Sequence, residues 1–171
     1  PDLFLRETKA SASLQQYLQS LVPVLAKDEI EGSPTELIYD VATLLINENL
    51  PMIRNYYNLK TAKPSTRKEL FGRLLQGKAF IEENIFKDLD IRSIADSCCL
   101  SEFRFYRLFK QCFGISPYQY ILRRKIEKSL ELKRQKLTWT EIAHLLGFTD
   151  LAAFSNAFKK ANGVYPNGFR L

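Results

Sequence analysis

Glycine is scarce in this chain, at 7 of 171 residues, and the apolar–polar alternation that marks half-buried strands is nearly absent. Both observations argue against a sandwich or barrel of short strands and tight turns. No run of about 18 apolar residues occurs, which argues against a membrane-spanning helix. Three cysteines and a single histidine exclude other classes. An odd cysteine count with Cys98 and Cys99 adjacent is no disulfide framework, and points to buried, reduced thiols in a cytosolic protein. A tetrahedral zinc site needs four ligands, and His144 stands far along the chain from the cysteines. It also has no evident Ser or Cys partner for nucleophilic chemistry, so it reads as a structural or surface histidine. No secretory leader follows Pro1. With no initiating Met, the chain is expected to be a piece of a longer one.

What is present is helical periodicity. Apolar residues recur every three or four positions, which makes the class all-α. A helix is expected over Ser13–Ala26, interrupted by Pro23. A second is expected over Thr35–Asn49, started by Ser33-Pro34 and closed by Pro51, with Leu37, Ile38, Val41, Leu44, Leu45 and Ile46 on its apolar face. After an apolar piece from Met52 to Tyr57, the polar stretch from Lys60 to Lys68 reads as a linker. The spacing then predicts helices over Leu70–Ile85, Ile91–Cys98, Glu102–Phe113 behind Ser101, and Pro117–Arg134. The last is about 27 Å long at 1.5 Å per residue. Two more are expected, one ending at Leu146 behind Thr138 or Thr140, and Leu151–Ala161 behind Asp150. A short turn follows Pro166. The expected division is a helical, hairpin-like segment (1–60), a linker (61–69) and a dense helical domain (70–171).

Charge follows that division. Residues 1–70 carry 8 Lys/Arg and 9 Asp/Glu, whereas residues 71–171 carry 17 and 10. The whole basic excess lies in the C-terminal part, where it would attract a polyanion through phosphate neutralisation. The N-terminal part has no nucleic-acid signature. Its wide apolar helix faces suit a hairpin or a homodimer surface better than a catalytic site.

The basic part contains one pattern twice. IADSCCLSEFRFYRLFKQCFGISP runs from Ile94 to Pro117, and IAHLLGFTDLAAFSNAFKKANGVYP from Ile142 to Pro166. Ile94 and Ala95 pair with Ile142 and Ala143 at an offset of 48. Phe105, Phe109, Lys110, Gly114 and Pro117 pair with Phe154, Phe158, Lys159, Gly163 and Pro166 at 49. The second turn is therefore one residue longer. Each copy reads as a helix-turn-helix, in which a short bracing helix supports a second helix whose outer face enters the major groove of DNA. A connecting helix of about 27 Å plus turns approaches the roughly 34 Å between successive major-groove faces.

Anchoring residues are expected to be Phe105, Leu108, Phe109 and Phe113 in the first copy, and Phe154, Ala157 and Phe158 in the second. The outward, base-facing residues are then Phe103, Arg104, Tyr106 and Arg107, and Leu151, Ala152, Ser155 and Asn156. Arginine can make a bidentate pair to guanine N7 and O6, and asparagine the matching pair to adenine. Phe103 and Tyr106 can pack on thymine methyls or sugars. Lys110, Lys159 and Lys160 lie later on their helices, where a backbone phosphate is the natural partner. Leu151 and Ala152 offer no hydrogen bonds, so the first copy is expected to choose the sequence and the second mainly to hold the DNA.

From Leu70 to Arg170 the chain resembles the DNA-binding domain of the AraC/XylS family of bacterial transcription regulators. The second copy carries the family's signature in IAHLLGFTDLAAFSNAFKKANGVYPNGFR, and the first matches it through IA…LS…F..R.FKQ.FG.SP..Y. The resemblance implies seven helices, two recognition helices in successive major grooves, and a cytoplasmic, nucleoid-associated regulator, usually an activator. RNA polymerase is a partner it allows. It carries the base-reading role to Phe103, Tyr106 and Arg107, and to Leu151, Ala152, Ser155 and Asn156. Two positions depart from the pattern. Asn156 stands where members commonly have Arg, and Cys99 stands at a turn site that is often Gly. Members usually carry an N-terminal sensing domain. No strand-rich stretch could form one here, and the first 60 residues resemble the dimerisation helices that often follow it. A small-molecule effector is implied only if such a domain precedes this chain, and no cofactor or metal is implied. Some DNA-repair methyltransferases share the domain type, but no PCHR-like nucleophile motif occurs and Cys112 reads as inert, so no enzyme is expected. The competing reading is a helical protein-interaction module whose helix-turn-helix domain does not bind DNA specifically.

Overall fold

The computed structural model describes residues 34–60 and 63–169, together with Gln15, Gln16, Gln19 and Val22, which are helical. The helix expected over Ser13–Ala26 otherwise lies outside the described residues, as does Arg170. The described residues form helices and no strand: α1 (Pro34–Asn58), α2 (Pro64–Glu83), α3 (Ile91–Ser97), α4 (Glu102–Phe113), α5 (Pro117–Arg134), α6 (Trp139–Leu145) and α7 (Leu151–Asn162), then a 3-10 turn at Pro166–Gly168. The chain divides into two compact units, Pro1–Arg54 and Asn55–Leu171.

Two expectations fail near the N-terminus. Pro51 does not close a helix, because α1 runs through it to Asn58. Proline removes one backbone donor, and the remaining turns on each side outweigh that loss. Nor is Lys60–Lys68 all linker, since α2 starts at Pro64. A proline at the first helical position gives up only an N–H that has no intrahelical partner. The end of α1 belongs to the second unit. Asn58 Nδ2 donates to the Cys112 carbonyl at 3.0 Å, the Cys112 thiol donates to the Asn55 carbonyl at 3.4 Å, and Tyr56 meets Phe71 edge-on at 5.5 Å.

Within this unit two small cores form. The first is built from α2, α3 and α4 around Phe71, Leu74, Ile81, Ile94, Phe105 and Phe109, all buried. At Gly77 a β-carbon would lie 2.7 Å from the Phe105 ring, so the glycine is what lets α4 press this close to α2. The second core holds Ile126, Leu132, Ile142, Ala143, Leu146, Phe154 and Phe158, with Trp139, Phe148 and Phe169 packed against it. Helix α5 serves both, offering buried Ile121 near its start and Ile126 and Leu132 further along. It begins with a capping box in which Ser116 and Gln119 satisfy each other's backbone N–H groups. A polar cluster ties it to α2: Tyr120 and Arg124 both donate to Glu82, and Arg124 also to Glu127. Burial, then the bond to Glu82, pushes the Tyr120 hydroxyl pKa well above its usual range, so the hydroxyl keeps its proton and donates.

Candidate nucleic-acid interface

The two copies close their turns in the same way. In the first, Cys99 lies in the left-handed region with φ 55° and the Leu100 amide donates to the Ala95 carbonyl at 3.0 Å. In the second, Gly147 has φ 68° and the Phe148 amide donates to the Ala143 carbonyl at 3.0 Å. These bonds sit 48 residues apart, and each returns the chain from a bracing helix to its partner. The first recognition helix then starts behind Ser101 and the second behind Asp150, 49 apart. The residue that lengthens the second turn is therefore Thr149. Cys99 is exposed, against the expectation that all three cysteines are buried; a side chain in a left-handed turn points off the core. Arg73 Nη1 donates to its carbonyl at 2.7 Å. Cys98 and Cys112 are buried, and burial pushes their thiols up to about 11 and about 12, leaving them unreactive.

On α4, Phe105, Leu108 and Phe109 are buried, and Phe113 is half-buried against Phe109 at 4.5 Å. The opposite face presents Phe103, Arg104, Tyr106, Arg107 and Lys110, all exposed. Phe103, which the pattern left between core and surface, is 77% exposed. The Arg107 guanidinium stands 5.8 Å from its ring centroid, one turn on, an arrangement that attracts the cation to the ring face and limits its wandering.

On α7, Phe154 and Phe158 are buried while Ala157 is half-buried. Leu151, Ala152 and Asn156 are exposed; Ser155 is only half-buried, so it reaches outward less freely than its neighbours. Lys159 and Lys160 are exposed in the last turn, and Lys159 Nζ sits 4.4 Å from the Tyr165 ring centroid. Asp150 caps this helix by accepting from the Ala153 amide at 2.6 Å, whereas Ser101 makes no such bond on α4. The sequence pattern places its proposed residues on the outer face of each recognition helix, all exposed except half-buried Ser155. It missed Tyr118 on α5, whose exposed ring lies 6.4 Å from that of Tyr106, and Tyr165 as the partner of Lys159. The signal for Tyr118 was its register: in the repeat it corresponds to Asn167, a side chain of quite different character.

Two helix-turn-helix units with exposed second helices, braced by one shared helix, define the class of this domain. Residues 94–171 match the helix-turn-helix domain family. The probable transcriptional regulator LumQ of Photobacterium leiognathi is 33% identical over 93 residues, which is 53% of this chain and 37% of LumQ. The C-terminal domain of AraT, a response regulator from Geobacillus stearothermophilus, is 33% identical with a TM-score of 0.53, covering 56% of this chain and 80% of that one. A transcriptional regulator of Chromobacterium violaceum, described as containing an AraC-type DNA-binding domain, is 26% identical with a TM-score of 0.54, over 56% and 87%. The chain belongs to the AraC family. It spans about a third of the length of the curated relatives it matches.

Proposed function

We propose that this chain is a sequence-specific DNA-binding transcription regulator, an activator in the manner usual for the family, that sets α4 and α7 into successive major grooves of one duplex. The observation that carries this reading is the duplicated geometry itself. Each recognition helix is fixed by two fully buried phenylalanines and turns an exposed face to solvent, with Arg104, Arg107 and Lys110 on α4 and Asn156, Lys159 and Lys160 on α7. The basic excess of residues 71–171 supplies the attraction to phosphate. In this reading Phe103, Arg104, Tyr106 and Arg107, with Leu151, Ala152, Ser155 and Asn156, face the bases, while Lys110, Lys159 and Lys160 hold phosphates. The protein works in the cytoplasm, on the nucleoid.

Selection of binding sites from a random duplex library, at stated salt, tests the reading. Enrichment of one motif is expected, and no enrichment sinks it. Arg107→Ala is then expected to weaken binding to the selected site by about 1–3 kcal/mol and to relax one base position. Equal losses on selected and random DNA would remove Arg107 from base readout.

We also propose that residues 1–60 mediate homodimerisation, followed by a short connection to the DNA-binding domain. Ile38, Tyr39, Leu45, Ile46 and Leu50 of α1 are exposed apolar side chains that a second copy would cover. Sedimentation of the chain as a monomer at high concentration would defeat this.

A further inference from the structure

The aromatic residues of the second unit are not all spent on its cores. Phe105, Phe109, Phe154 and Phe158 are wholly buried, yet Phe103, Tyr106 and Tyr118 of the first copy are exposed. Tyr106 and Tyr118 come from different helices, α4 and α5, and their ring centroids lie 6.4 Å apart with planes at 57°. Tyr118 is 58% exposed and Tyr106 37%. Neither hydroxyl is bonded to another described residue. A cluster of exposed rings with free polar tips is what a surface shows before a partner covers it.

The fold does not require this pair. The second copy makes the same turn, from Gly163 to Pro166, with Ser155 where the first has Tyr106 and Asn167 where it has Tyr118. The duplicate therefore serves as an internal control: the turn closes without either ring. The surroundings also favour an anion. Arg104, Arg107 and Lys110 are exposed on the same helix as Tyr106, with Glu102 the one carboxylate on α4. Tyrosine suits a strand of sugar and phosphate, because the ring packs on deoxyribose and the hydroxyl donates to a phosphate oxygen.

We infer that Tyr118 is a DNA-contacting residue: with Tyr106 it forms a two-tyrosine clamp on the sugar–phosphate strand bordering the groove that α4 enters. The clamp rests on the DNA-binding reading above and extends the interface from the recognition helix onto the shared helix α5. Tyr118 adds affinity without reading bases, while Tyr106 beside it also borders the groove, and the pair exists in the first copy only.

The test uses the full chain, with fluorescence anisotropy on a selected duplex and a random one across a salt series. Tyr118→Ala is expected to weaken binding to both duplexes alike, by about two- to tenfold, the range of one hydrogen bond with its packing. Tyr118→Phe is expected to lose part of that and to melt like the parent chain. The salt slope should hold, since no charge is removed. Asn167→Ala should leave affinity unchanged. Parent-like affinity of Tyr118→Ala, when Arg107→Ala binds weakly, would overturn the clamp and leave the DNA reading standing. Loss on the selected duplex alone would also overturn it, by showing a base contact. A parent chain that binds neither duplex would instead overturn the underlying reading.

Discussion

The two helix-turn-helix copies share their turns and are each walled by a preceding helix, but they differ in what else closes their cores. The first is walled by α2, with Gly77 pressed against Phe105 and Arg73 and Gln76 donating to the carbonyls of Cys99 and Ser97. The second is walled by α5, which sets Ile126 and Leu132 against α6 and α7, and an aromatic cluster closes it further. Trp139, Phe148, Phe154, Phe158 and Phe169 pack with centroids 5.3–5.7 Å apart. Each copy thus leans on a helix, α2 or α5, and the second adds the larger cluster of rings. The exposed faces differ too: arginines and large aromatics on α4, and Leu151, Ala152 and Asn156 ahead of Lys159 and Lys160 on α7.

The comparison can be broken most forcefully in the cores. Phe105→Ala and Phe154→Ala should each lower stability by about 3–5 kcal/mol, measured by urea unfolding. A small effect at Phe154 would show that the remaining rings refill its space. Next in size, Gly77→Ala should destabilise by about 1–3 kcal/mol, because the new methyl meets the Phe105 ring. An unchanged midpoint would mean that α2 yields and is no wall. On DNA, Asn156→Ala should weaken binding to the selected site less than Arg107→Ala does. The reverse order would make α7 the principal reader.

Smaller still is the effect of pH. Asp90 accepts from the Ser93 amide at the start of α3, and Glu141 takes hydrogen bonds from Thr138 at the start of α6. Each carboxyl is thereby held below its usual range, for Asp90 chiefly by the Ser93 amide and for Glu141 chiefly by the Thr138 side chain. Folded pKa values below the unfolded ones mean that this stability is present above the ordinary values of 3.8 and 4.5 and is lost as pH falls through the folded ones. Thermal melts from neutral pH toward pH 3 should therefore slope downward, and Asp90→Asn should flatten part of that slope. A slope equally steep in Asp90→Asn would remove the cap from the account.

Most helix starts and stops of the second unit were legible because they are local. Ser116-Pro117, Thr138, Asp150, Gly114 and Gly163 act within one turn of themselves. Pro51 misled because one missing donor is outweighed by the turns around it, a balance set over the whole helix. Lys60–Lys68 misled because polarity alone does not separate a linker from the exposed start of a helix. The outward faces of α4 and α7 followed from the anchoring phenylalanines. Tyr118 did not, because its neighbour Tyr106 lies on another helix and only the fold brings them together. The exposure of Cys99 was likewise hidden, since it depends on φ rather than on residue type.

Gly147 and Cys99 occupy matching turns, and the same backbone conformation limits change at both. At 147 a β-carbon would have to accept φ 68° and lie 3.5 Å from Nζ of Lys125, which also sits 5.8 Å from the Phe148 ring centroid. At 99 the backbone conformation is the one obstacle, and the side chain already points to water. Random substitution should therefore confine both positions to residues that tolerate the left-handed region, chiefly Gly, Asn and Asp, with Cys also retained at 99.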